Sequence, residues 1–127
     1  VEHDLQIAEK RGGTRAHTSY AGKTLVESGA LVCGGSDCPV EPLDVLKNIH
    51  CAVMRQDLYG QPAEGWHPEQ RLTMQQALPL YTTNISVLEW ADFVILDHDI
   101  LQNPYELLNT NVCMTAMQGQ ITFQSQR

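Results

Sequence analysis

Apolar residues change their spacing along this chain near residue 87. Before that point, segments with an apolar residue at every third or fourth position alternate with a short continuous apolar run, which is the pattern of helices around a buried strand. After it, β-branched and aromatic residues dominate short runs, which is the pattern of strands. The spacing therefore predicts an α/β part over residues 1–86 and a β-rich part over residues 87–127.

Helix signals occur at four places in the first part. Helical spacing of apolar residues predicts three helices, within residues 5–11, 18–28 and 43–54. Gly29 follows the second of them and is predicted to end it in a left-handed conformation. Thr73 and Gln76 form a capping-box signal for a fourth helix. Pro79 should end or kink that helix, because proline removes a backbone donor.

Strand signals occur in both parts. Residues 30–34 form a continuous apolar run, which predicts a buried strand of a parallel sheet. Residues 91–96 are rich in β-branched and aromatic side chains, which predicts another strand. Residues 112–124 read as two strands around the pair Gln118-Gly119, which predicts a tight hairpin.

One carboxylate follows the predicted buried strand directly. Residues 35–42 read GSDCPVEP, and the two prolines rule out continuation as strand or helix. Asp37 is thus predicted at the carboxyl end of a buried strand, where barrels and open α/β folds place their chemistry. The alternative is that Asp37 only caps the turn, as Asp commonly does.

Charge and composition narrow the classes of partner. The chain of 127 residues has 15 acidic and 8 basic residues, a formal charge of −7. We expect no nucleic-acid partner, because no basic stripe exists. We expect no membrane span, because no apolar run reaches about 18 residues. The first four residues also do not resemble a signal peptide.

The cysteines predict a cytoplasmic protein. Cys33, Cys38, Cys51 and Cys113 contain no C-x-x-C pair, and Cys33 and Cys38 are not at a redox spacing. We interpret them as small buried hydrophobic residues in a reducing compartment, with a disulfide or metal role as the alternative.

The motif of residues 35–42 resembles the last barrel strand of the metal-dependent amidohydrolase superfamily, in the branch called predicted metal-dependent hydrolases with the TIM-barrel fold. Other segments resemble the same family in the same order: residues 20–29, 52–55, 65–73, 77–84 and 90–97. The resemblance implies that residues 1–86 are the C-terminal part of a (β/α)₈ TIM-type barrel. It implies that residues 87–127 supply strands of a small β-sandwich domain. A whole barrel takes about 250 residues, so the chain resembles only part of one.

The resemblance also implies a reaction. It implies a hydrolase that cleaves carbon–nitrogen bonds other than peptide bonds, in amides or cyclic amides, through metal-activated water. Asp37 would be a metal ligand and the general base, and His3, in the motif Val1-Glu2-His3, would be a second ligand. Zinc suits imidazole and carboxylate ligands. The expected partner is a small amide-type substrate, and a homo-oligomer is compatible with it.

Part of the family's site is absent from the chain. No H-x-H spacing occurs, and none of Lys10, Lys23 and Lys47 is predicted at a strand end where it would bridge metals. The family also places further elements between Gly13 and His17 and after Ser86. An alternative function is therefore a non-catalytic remnant or partner-binding module that lacks a complete metal site.

The other histidines are given local roles by the sequence. His17 precedes a predicted helix, and His50 is expected on the polar edge of another. His67 lies in a loop that could rim an active site. His98 lies between Asp97 and Asp99 at the end of a predicted strand, where turn chemistry explains it.

Overall fold

The computed structural model describes residues 5–82 and 91–126 of the chain. The α-helices are α1 Leu5–Gly12, α2 Gly22–Glu27, α3 Val45–Met54 and α4 Met74–Ala77, and the strands are β1 Phe93–Leu96, β2 Val112–Met117 and β3 Gln120–Gln124. Short 3₁₀ turns lie at Gly13–Thr18, Pro68–Gln70, Leu78–Leu80 and Pro104–Glu106. The fold of these residues is mixed helix and antiparallel sheet, which is compatible with a fragment of an α/β protein. His3 and the proposed boundary at residue 87 lie outside them.

Helix α2 ends as its sequence predicts. Gly29 is left-handed, with a φ of +80°, and its N–H donates to the Val26 carbonyl. The Ala30 N–H donates to the Leu25 carbonyl. This is the Schellman arrangement, which satisfies carbonyls at a helix end. The chain is thereby turned toward residues 30–36.

Helix α4 begins and ends at predicted signals. The Thr73 hydroxyl accepts from the Gln76 N–H, and the Gln76 side chain accepts from the Thr73 N–H, so the capping box is present. The α-helix stops at Ala77, and a 3₁₀ turn containing Pro79 follows. Tyr81 directly follows this turn and lines the cavity beside Asp37.

The three strands form one antiparallel sheet in the order β1-β2-β3. Thr115 pairs with Phe123 across the hairpin. The turn residues Gln118 and Gly119 both have positive φ, +51° and +76°, as a type I′ hairpin turn requires. The predicted hairpin is confirmed.

Residues 30–36 do not form the predicted buried strand. Leu31 is 98% exposed, and the segment is extended without strand pairing. A backbone hydrogen bond of 2.8 Å from the Gly34 N–H to the Leu80 carbonyl joins it to the later chain. A buried parallel strand needs paired neighbours and cover on both faces, and the described residues supply neither here. The strand prediction is wrong for this segment, and the barrel and the sandwich stay predictions.

One hydrophobic core joins the two predicted parts of the chain. Its buried residues are Ile49, Val53, Leu72, Met74, Ala77, Ile100 and Leu107. Leu107, which follows the 3₁₀ turn before β2, is 1% exposed and is the largest fully buried side chain described. The helices and the segment between β1 and β2 are therefore packed against each other. No helix of the described segments is long and apolar enough to cross a membrane.

Candidate active site

Asp37 lies in a closed loop between the extended residues 30–36 and α3. Its φ of +48° is left-handed, a region that Asp tolerates better than most residues. The Val40 N–H donates to the Asp37 carbonyl at 2.9 Å, and the Glu41 N–H donates to the Ser36 carbonyl at 3.1 Å. These bonds fix the backbone of the loop, while Asp37 itself is exposed.

An open cavity of about 630 Å³ lies beside this loop. Apolar side chains from separate segments form much of its wall: Leu25, Val32, Leu72 and Leu80. Polar groups are supplied by Ser36, Asp37 and Glu41 from the loop, and by Arg55 and Tyr81 from later segments. The volume lies within the range of small-molecule sites, and such sites combine apolar walls with a few polar groups.

Tyr81 packs directly on the segment that leads to Asp37. A Cβ atom at Gly34 would lie 2.4 Å from Cζ of the Tyr81 ring and 2.7 and 2.8 Å from its two Cε atoms. A side chain at position 34 would occupy the place of the phenol ring, so the ring would have to move. Burial raises the pKa of Tyr81, and Cys51 acts in the same direction, so the hydroxyl keeps its proton.

Arg55 ties together three segments around the cavity. It ends α3 in a left-handed conformation and is 3% exposed. Its Nε donates to the Trp66 carbonyl at 2.9 Å, and its Nη1 donates to the Tyr20 carbonyl at 3.1 Å. The guanidinium also lies 5.0 Å from the centroid of the Trp66 ring. Burial lowers the pKa of Arg55, and the nearby Glu69 opposes that shift.

The described histidines do not join Asp37. His17 contacts its own 3₁₀ turn: its Nδ1 is 2.6 Å from the Thr14 carbonyl oxygen. His50 is 5% exposed, so its predicted place on a polar helix edge is wrong. It is one position from Ile49 and three from Val53, and it is buried with them on the inner face of α3.

His67 lies between two carboxylates rather than on the cavity. Its Nε2 is 3.6 Å from Glu9 and its Nδ1 is 3.4 Å from Glu69. The Trp66 indole N–H donates to the same Glu9 at 3.0 Å. His67 thus belongs to a link between α1 and the 65–70 loop.

His98 belongs to a turn, as the sequence predicts. Its Nδ1 is 2.7 Å from the Asp97 carboxylate. Asp97 also accepts hydrogen bonds from the backbone and side-chain N–H groups of Asn111. The carboxylate therefore joins the end of β1 to the start of β2.

The exposure of two cysteines differs from the sequence interpretation. Cys33 and Cys38 are exposed, whereas Cys51 is buried and Cys113 is half-buried. Cys33 lines the cavity beside Asp37. The description as small buried hydrophobic residues therefore fits Cys51 best.

The described residues do not make a complete metal site. In the described ranges, no group of three or more His, Cys, Asp and Glu side chains is arranged to hold a metal ion. Asp37 is a chemically suitable ligand for a divalent cation. His3, the other ligand that the resemblance implies, lies outside the described residues. The predicted pairing of these two residues stays a prediction.

Sequence reasoning missed Tyr81 and Arg55 as cavity residues. Tyr81 follows a proline-containing turn, and Arg55 follows the last residue of α3. Neither position carries a periodic signal, because each side chain reaches the cavity only through contacts with distant segments. The Tyr81 contact with Gly34 spans 47 positions of sequence.

Comparison with known proteins identifies the class of protein. The model of the Amidohydrolase family matches residues 2–123, so the chain belongs to the amidohydrolase family. Members of this family are generally metal-dependent.

A particular relative comes from Bacillus subtilis (strain 168). It carries the name "Putative amidohydrolase YtcJ", and it is 30% identical to this chain over 132 aligned positions. The alignment covers 93% of this chain and 25% of the relative, so the chain spans about a quarter of the relative's length. No solved structure matches the chain.

Proposed function

We propose that this chain is part of a metal-dependent hydrolase that cleaves carbon–nitrogen bonds other than peptide bonds. The observation that carries the proposal is the place of Asp37. It is an exposed carboxylate in a fixed loop beside an open cavity of about 630 Å³, inside the region that matches the amidohydrolase family. Amides and cyclic amides are the proposed substrates.

Asp37 is proposed as the general base. Its carboxylate takes a proton from the attacking water and gives it to the leaving nitrogen as the carbon–nitrogen bond breaks. In the net reaction, water adds its oxygen and one hydrogen to the carbonyl carbon and its other hydrogen to the nitrogen, which gives a carboxylic acid and an amine. The fixed backbone of the loop supports this role, since a base must be held within reach of the water.

The proposed metal is a divalent ion, with zinc as the first choice. Asp37 and His3 would contribute ligands, and the remaining ligands would come from other residues of the intact protein. When bound, such an ion lowers the pKa of a water molecule to about 7, so that hydroxide is available at neutral pH.

The cavity supports a small-molecule partner. Its apolar wall suits the carbon skeleton of an amide, and its polar groups lie on the Asp37 loop and around Arg55 and Tyr81. We propose no nucleic-acid or membrane partner and place the protein in the cytoplasm, where its four cysteines, none of which forms a disulfide, would stay reduced. A homo-oligomer is compatible with the proposal.

Removal of metal tests the proposal. The intact protein would be assayed on three probes: p-nitroacetanilide as an open-chain amide, hydantoin as a cyclic amide, and benzamidine as an amidine. We expect hydrolysis of at least one probe, loss of that activity after treatment with a chelator, and recovery on addition of Zn²⁺. Elemental analysis would follow the metal content in parallel.

The same experiment distinguishes the hydrolase from the alternative function, a non-catalytic module. An intact protein that binds no metal and hydrolyses none of the probes would favour a non-catalytic module. Activity that survives complete removal of metal would contradict metal dependence while leaving a hydrolase in place.

A further inference from the structure

We propose that the Tyr81 hydroxyl contacts the substrate and donates a hydrogen bond to the carbonyl oxygen of the amide. The inference rests on the proposed function and adds to it a residue that recognises the reacting group. It is carried by the position of the phenol ring, by the state of its hydroxyl and by the cavity that it shares with Asp37.

The phenol end of Tyr81 is placed beside the Asp37 loop by close packing. Three ring atoms, including the Cζ that carries the hydroxyl, occupy the space where a Gly34 side chain would lie. The hydrogen bond of 2.8 Å between the Gly34 N–H and the Leu80 carbonyl holds the backbone next to the ring. Gly34 precedes Asp37 by three residues. The phenol ring therefore packs against the same short segment that carries the Asp37 carboxylate.

The hydroxyl is available to a ligand. Tyr81 lines the cavity, and its oxygen forms no hydrogen bond within residues 5–82 and 91–126. It is also not among the polar atoms that are sealed from solvent there without a partner; those atoms belong to His50, Arg55 and His67. The phenol therefore presents a proton donor to the cavity.

The protonation of the phenol suits a donor. Burial holds the pKa of Tyr81 above its ordinary value of 10, so the proton is present throughout the neutral range. A neutral donor of this kind stabilises negative charge as it develops on a carbonyl oxygen. The removal of one such donor typically lowers kcat by about 100-fold or more.

Several other polar groups of the cavity already have partners or cannot donate. The Thr18 hydroxyl donates to the Arg15 carbonyl at 2.8 Å. Two of the Arg55 nitrogens donate to carbonyls, and its Nη2 is sealed from solvent. Asp37 and Glu41 carry carboxylates, which accept hydrogen bonds when ionised. Tyr81 thus combines a free donor with a fixed position.

The test compares Tyr81→Phe with wild type in the intact protein. Phenylalanine keeps the ring against Gly34 and removes only the hydroxyl. On whichever of the three probes the wild type hydrolyses, we expect kcat to fall by about 100-fold, with KM within about threefold. Metal content and Tm should stay as in wild type. The matched control is Tyr105→Phe, because Tyr105 is 73% exposed and outside the cavity; it should keep full activity.

The outcomes separate this inference from the proposed function. If Tyr81→Phe keeps kcat within twofold of wild type while Asp37→Asn is inactive, the hydrolase stands and the Tyr81 contact is overturned. If Tyr81→Phe loses Tm together with activity, the hydroxyl is structural and the contact is also overturned. If the wild type hydrolyses none of the probes, the proposed function fails and takes this inference with it.

Discussion

At the scale of single residues, the described structure buries polar groups whose atoms lack partners. His50 has neither ring nitrogen in a hydrogen bond, and Arg55 has one unpartnered nitrogen. A buried polar atom without a partner typically costs about 1–3 kcal/mol. Arg55 offsets that cost with two hydrogen bonds and a contact with the Trp66 ring. His50 is 5% exposed and burial lowers its pKa, so its protonation should be coupled to folding.

The His50 environment predicts a loss of stability in mild acid. Burial lowers the pKa of His50 below its ordinary value of 6.5, and Asp57 opposes this shift only in part. Below pH 6.5 the unfolded chain takes up a proton that the folded protein does not, so the free energy of unfolding falls as pH falls through this value. Denaturant unfolding of the intact protein at pH 7.5 and pH 5.5 measures the effect.

Substitution of His50 tests whether this residue causes the loss of stability in mild acid. His50→Leu has a similar volume and no proton to gain, so its unfolding should change less between the two pH values. His17→Gln, at an exposed position, is the control and should keep the wild-type difference. An identical pH dependence in wild type and His50→Leu would show that other groups cause the effect.

At the scale of elements, local signals were enough where a bond between near neighbours decides the structure. The capping box of Thr73, the glycine end of α2 and the Gln118-Gly119 turn each involve residues within a few positions, and all three form as predicted. The strand prediction for residues 30–36 was wrong because a strand depends on neighbouring strands, which the local sequence pattern does not contain. The prediction for His50 was wrong because a polar side chain was assigned to the polar edge of the helix, whereas its position beside Ile49 places it on the buried face.

The candidate site shows the same limit. Asp37 could be found from its neighbours, because a Gly-Ser-Asp turn after an apolar run is a local feature. Tyr81 and Arg55 could not, because their places depend on packing against segments about 11 to 47 residues away.

The core between elements gives a prediction of its own. Leu107→Ala removes a side chain that is 1% exposed and packs with residues of α3 and α4. We expect the free energy of unfolding of the intact protein to fall by about 2–5 kcal/mol, because the change leaves a cavity. Faster amide hydrogen exchange should extend into α3, since the core is shared across the predicted boundary.

The neighbouring residue supplies the control. Leu108→Ala makes the same chemical change at a position that is 36% exposed, and it should cost much less. Equal effects of the two substitutions, or an effect of Leu107→Ala that does not reach α3, would contradict the shared core.

At the scale of the whole molecule, a shared core joins α3 and α4 to the segment between β1 and β2, and an open cavity lies beside the Asp37 loop. It belongs to the amidohydrolase family over residues 2–123 and spans 25% of its Bacillus subtilis relative. The proposed hydrolysis of carbon–nitrogen bonds must therefore be assayed in the intact protein. In the proposed reaction, Asp37 of this chain supplies the base.

The kcat/KM of Asp37→Asn tests that claim most directly. Asparagine keeps the shape of the side chain and removes the base, so kcat/KM on the hydrolysed probe should fall by at least about 100-fold. Elemental analysis would report whether metal is lost as well. Glu64→Gln makes the matched change at an exposed carboxylate outside the cavity and should keep wild-type activity. Full activity in Asp37→Asn would remove Asp37 from the reaction and contradict the account.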